Sequence, residues 1–120
     1  MSLLDMLLTK DISTDEVEEI KINRLEKEFG EDATFKIKTL NYNTIEDIRK
    51  MDKDIPVHVL LAGDAEAIFK NKELMERYNA ATPAELVKKI LRHGEIKNIA
   101  SEIERLSGYT NNVVEIIKKK

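Results

Sequence analysis

The stretch "RHGE" at residues 92–95 sets a histidine between an arginine and a glycine and just ahead of a carboxylate. A histidine beside a carboxylate is the pairing of a general base with its orienting group, and two histidines with acidic neighbours begin a metal site. Catalysis needs a further partner: a nucleophile within reach of the imidazole, or additional ligands at a workable spacing. The chain has two histidines, His58 and His93, and no cysteine. Thiolate nucleophiles, disulfides and Cys-ligated zinc are therefore absent together. No G-x-S-x-G or H-E-x-x-H spacing occurs, and "GDAE" at 63–66 lacks the further glycines and the lysine of a phosphate loop. The residues point to no catalytic, cofactor-binding or metal-binding site, no cofactor, and a protein that is not an enzyme.

The elements around "RHGE" give each of its residues a structural task. In "TPAELVKKILRHG" Thr82 is a helix N-cap, Pro83 fits the first helical position where its missing N–H is harmless, and Glu85 lies three residues past the cap. Leu86, Val87, Ile90 and Leu91 form the apolar stripe, and Glu85 faces Lys89 on the outside. Arg92 and His93 then fall in the last turn, where cations suit the helix dipole, and Gly94 is expected to be the left-handed residue that ends the helix. Glu95 opens the next helix. There Ile96, Ile99, Ile103 and Leu106 recur at helical spacing, a seam for the core or for a partner, ended by Gly108. "TNNVVEIIKKK" predicts a last helix with Val113, Val114 and Ile117 inward.

A length of 120 residues fits one domain. With 42% hydrophobic and 36% charged residues, no Trp and 5% aromatics, its core must be mostly Leu, Ile and Val. The net charge of −3 is spread with the signs interspersed, which is not the clustered basic face of a nucleic-acid binder. No apolar run approaches the roughly 20 residues of a membrane span, and "MSLLDMLLTKD" lacks the positive n-region of a signal peptide. These features indicate a cytoplasmic protein without membrane or specific nucleic-acid partners.

Upstream, Leu3, Leu4, Met6, Leu7 and Leu8 form an apolar cluster shorter than the roughly 12–15 residues an isolated helix needs, so it either docks on its own core or serves a partner. "ISTDEVEEIKINRLEKEFG" carries two conflicting signals. Ser13 with Glu16 reads as a capping box ahead of a helix ending at Gly30, while Ile20 and Ile22, like Phe35 and Ile37 of "TFKIKTL", alternate with polar residues as in a β-hairpin. Local signals leave both open. Short helices follow: "NTIEDIRKM" capped by Asn43 or Thr44, "DIPVHVLLAGD" with Pro56 in its first turn although its β-branched residues also admit a strand, and "NKELMERYNA".

The order "IKINRL", "FKIKTL", "NKELMERYNAATPAELVKKIL", "HGEI", "IERLSGY", "VVEIIKK" resembles the XkdN-like tail assembly chaperones of tailed phages and prophages, over about 20–118. His93 is a mild departure, because the family is expected to carry Leu, Pro or Ala before the glycine. The resemblance favours strands in the ambiguous segment. It implies an α+β fold: an apolar arm at 1–15, then one domain at 16–120 with a hairpin over about 18–39 and a small helical bundle over about 43–118. It further implies a non-enzymatic chaperone in the bacterial host cell that binds the tape measure protein, keeps it soluble during tail morphogenesis, and is absent from the mature virion. Room is left for a homo-oligomer. Because apolar residues concentrate at 3–8 and 96–117, Leu4, Leu7, Tyr109 and Val113 are the candidate partner-binding residues. The rival readings are a structural tail component retained in the particle, and a small helical adaptor binding a peptide or nucleic acid.

Overall fold

Alternation wins over capping in the ambiguous segment, and a helix follows it immediately. In a computed structural model, which describes residues 1–109, 114, 115 and 117, strand β1 (Val17–Lys21) pairs antiparallel with β2 (Thr34–Lys38), Ile20 lying opposite Phe35. Phe35, Ile37 and Ile22 are buried on one face, whereas Glu19 and Lys36 meet on the other. The hairpin expected over about 18–39 is present, but its connection is helical: α2 (Asn23–Phe29) is closed by Gly30 in the left-handed conformation at φ 70°. Ser13, expected as a cap, accepts a bond from the Asp15 N–H in a local turn. Glu16 bonds Thr39 across the hairpin instead of boxing a helix. Long-range pairing here outweighs a local signal.

The far edge of β2 is closed by the chain at 63–65, with Lys38 N–H donating to Gly63 O (2.9 Å) and Ala65 N–H to Lys36 O (3.1 Å). The bundle comprises α3 (Tyr42–Arg49), α4 (Ile55–Ala62), a 3-10 turn at Ile68–Lys70, α5 (Lys72–Arg77), α6 (Pro83–Ile90) and α7 (His93–Leu106). Asn41 caps α3 through the Thr44 N–H (2.8 Å), two residues before the expected Asn43. Asn71 caps α5 and Thr82 caps α6 in the same way. Helix α4 is apolar on nearly every side because it is central, and Val57, Val59 and Leu60 are buried. Helix α7 lies across it. Gly63, just past α4, lets the fully buried Ile103 side chain approach so closely that a Cβ there would sit 2.5 Å from Ile103 Cδ1.

Two expectations need correction, and one open alternative is decided. Gly94 does not end α6: the helix stops at Ile90, and Leu91 turns extended so that its side chain enters the core. Arg92 caps α7, and Gly94 lies inside its first turn. Lys89 does not pair with Glu85. Its ammonium donates to the carbonyls of Tyr78 and Asn79, while Glu85 accepts from the Ala81 N–H. The leucine cluster, left open between docking and partner binding, is undocked among the described residues: α1 (Leu3–Thr9) is helical, boxed by Ser2 and Asp5, and exposed along its whole length. The expected helix at "TNNVVEIIKKK" lies largely outside the described residues.

Candidate functional site

Glu95 is the centre of a structural junction. It accepts the Arg92 N–H (2.7 Å), closing the start of α7, and it grips the Arg24 guanidinium through Nε (3.0 and 3.2 Å) and Nη2 (2.9 Å). Arg24 Nη2 also donates to Ile90 O (2.7 Å), the carbonyl at the end of α6, and Nη1 to Glu28 (3.2 Å). One guanidinium therefore ties α2 to the corner between α6 and α7. The two side chains are 20% and 22% exposed, so the bidentate bond is partly shielded from solvent. Arg24 holds the Glu95 carboxyl below its ordinary range, burial opposes this, and the Arg92 N–H assists. The stretch that looked most like chemistry is a joint. His93 is the exposed first residue of α7, and His58 is half-buried on α4.

The apolar surfaces divide sharply. Ile96, Ile99 and Ile103 of the α7 seam are buried at 7%, 5% and 0% exposure, and Leu106 packs partly against the same core. The seam is core, not groove. On α1, Leu3, Leu4, Leu7 and Leu8 are 69%, 65%, 52% and 73% exposed. Leu4 and Leu7 are three residues apart and share a helix face. Beyond the arm, Ile12 and Val17, which the helical reading of this segment makes a hydrophobic staple at its start, are also exposed.

Tyr109 does not join Leu4 and Leu7. It follows the end of α7, is half-exposed, accepts a hydrogen bond on its hydroxyl from Arg49 Nη2 of α3 (2.7 Å), and has that guanidinium 5.1 Å from its ring centre. It is an aromatic platform fixed by a cation. Val113 lies outside the described residues. Arg24 and Glu95 were missed as a pair because 71 residues separate them, and the local partners of each, Glu28 and the Arg92 N–H, point only along the chain.

The chain matches no curated protein. The crystal structure of the protein yqbn resembles this one with a TM-score of 0.70 and 20% sequence identity, covering 92% of this chain and 99% of that chain, which is a likeness of fold. The two motifs joined by Arg24 and Glu95, "INRL" and "HGEI", belong to the ordered pattern read in the sequence. The model of the phage XkdN-like tail assembly chaperones matches residues 3–119, nearly the whole chain, and this protein therefore belongs to that family.

Proposed function

We propose that this chaperone binds the tape measure polypeptide and keeps it soluble until the tail tube forms around it, acting in the host cytoplasm and leaving before the virion is complete. The observation that carries this reading is the α1 arm, an apolar helix exposed on all sides in a protein whose core closes without it. Seven residues make a marginal helix in water, so such an arm gains most when its leucines bury against another helix. Leu4 and Leu7 are the anchors in this reading, with Tyr109 and Val113 as a second contact. Binding uses no catalytic step and no cofactor.

Co-expression with the tape measure product of the same gene cluster tests it. The wild-type chain should co-purify with that product and raise its soluble fraction. Leu4→Ser with Leu7→Ser should lower that fraction while the melting temperature stays at the wild-type value, since neither side chain touches the core. Failure of the wild-type chain to co-purify or solubilise refutes the proposal. Recovery of the chain from purified particles would instead favour a retained tail component.

A further inference from the structure

The hairpin has one open edge. The N–H of Ile22 donates to Ala33 O (3.1 Å) and that of Thr39 to Glu16 O (3.0 Å), so the even-numbered residues of this stretch direct their backbone groups toward β2. The odd-numbered ones, Val17, Glu19 and Lys21, must direct theirs outward. Among the described residues those groups have no hydrogen-bond partner, and Val17, Glu18, Glu19 and Lys21 are exposed. The outer edge of β2 is occupied by residues 63–65 and, among the described residues, that of β1 is not. Proteins ordinarily blunt such an edge with charge, proline or a bulge. Here the strand "VEEIK" is charged, and its charges are complementary to itself.

We propose that β1 pairs antiparallel with β1 of a second copy across a two-fold axis, with Ile20 opposite Ile20 and Glu19 opposite Lys21, to make a continuous four-stranded sheet. The axis stands perpendicular to the sheet, so residues facing each other lie on the same face. On the solvent face one row then reads Lys36, Glu19, Lys21 of the second copy and Thr34 of the second copy, which continues the Glu19–Lys36 contact already present at 4.0 Å. On the core face the central row reads Phe35, Ile20, then Ile20 and Phe35 of the second copy, apolar throughout. Glu19 and Lys21 both point their backbone groups outward, so both pairs are hydrogen-bonded pairs. Either register sets Glu18 against an isoleucine, Ile22 in the proposed one and Ile20 in the one a step back, but the register a step back also sets Glu19 against Glu19 and so places like charges in its central hydrogen-bonded pair. Cross-strand pairs decide between such registers. This interface uses no residue of the proposed tape measure contact and is independent of it.

Sedimentation of the full chain from micromolar to millimolar concentration should show a monomer–dimer equilibrium. Glu19→Lys and Lys21→Glu, both on the solvent face, should each weaken it by roughly tenfold through like-charge rows, and the double variant should restore it. Because the chain has no cysteine, Ile20→Cys should give a covalent dimer on mild oxidation, since residues in a non-hydrogen-bonded pair sit at disulfide distance; Glu19→Cys should not. A chain that stays monomeric throughout, a dimer indifferent to the charge changes, or cross-linking at residue 19 in place of residue 20 overturns the proposal.

Discussion

Gly63→Ala tests the packing of α7 on α4 most directly. The backbone there, φ −89° and ψ 2°, is open to alanine, so conformation alone would favour the substitution by about 0.4–1 kcal/mol. Space opposes it. The new Cβ would lie 2.5 Å from Ile103 Cδ1 and 2.8 Å from both Cγ1 and Cγ2, and Ile103 is fully buried. Overpacking of this kind costs about 1–3 kcal/mol, so the net loss should be about 1–2 kcal/mol and the melting temperature should fall by roughly 3–10 °C. The companion experiment removes the obstacle. Ile103→Ala alone should cost about 2–5 kcal/mol by leaving a cavity. It also deletes all three clashing atoms, so adding Gly63→Ala in that background should be neutral or stabilising. Urea unfolding followed by circular dichroism gives the four free energies of the cycle, and the coupling should be about 1–3 kcal/mol. An equal cost of Gly63→Ala in both backgrounds, or none in the wild type, would refute the claim that Ile103 demands a glycine.

Gly94 lies in the first turn of α7 with open space where a Cβ would go, so Gly94→Ala should stabilise the protein by about 0.5–1 kcal/mol, read as a higher urea midpoint. Thr82→Ala should cost about 0.5–2 kcal/mol by freeing the Glu85 N–H, measured by the same unfolding curve. For Glu95 the sign follows from its lowered folded value: the Arg24 contact stabilises the fold above the ordinary value of 4.5 and is lost as pH falls below it. Glu95→Gln should therefore lower the urea midpoint at pH 7 and flatten its decline between pH 5 and pH 3; parallel acid limbs in the two proteins would contradict this.

Elements were legible where local chemistry and tertiary need agree. Thr82 with Pro83, Pro56 near the start of α4, and the 3, 4, 3 spacing of Ile96, Ile99, Ile103 and Leu106 each announce a helix, and each is one. The alternation at Ile20, Ile22, Phe35 and Ile37 left strand and helix open, and the α+β class followed from the family resemblance. Legibility failed where a distant group supplied the partner. Gly94 looked like a helix end because the stop after Ile90 is made by Leu91 entering the core, an event no neighbouring residue signals. Ser13 and Glu16 offered a capping box that lost to Thr39, 23 residues from Glu16. Arg24 gave no sign of its role, since its carboxylate, its carbonyl and its strand-to-helix setting are assembled only by the fold. The exposure of the arm was open in the sequence for a related reason: an apolar cluster is the same string of letters whether or not a core has room for it.

That distinction bears on how a small chaperone can be both stable and adhesive. Among the described residues, the buried aliphatic side chains from Ile22 to Ile103 interlock into one core, while Leu3, Leu4, Leu7 and Leu8 stand outside it. A binding surface carved from the core would make release of a partner compete with folding, since each buried leucine contributes about 1.5–3 kcal/mol. An arm joined through the wholly exposed segment 10–16 has no such coupling: it can lose its partner without loosening α4 or α7. The Ser2 and Asp5 box partly preorganises the arm as a helix, which reduces the ordering entropy of binding without adding contact area. Short length limits how tightly it holds. In the proposed role that limit is useful, because a chaperone that must surrender the tape measure to a growing tube needs contacts the tube can displace.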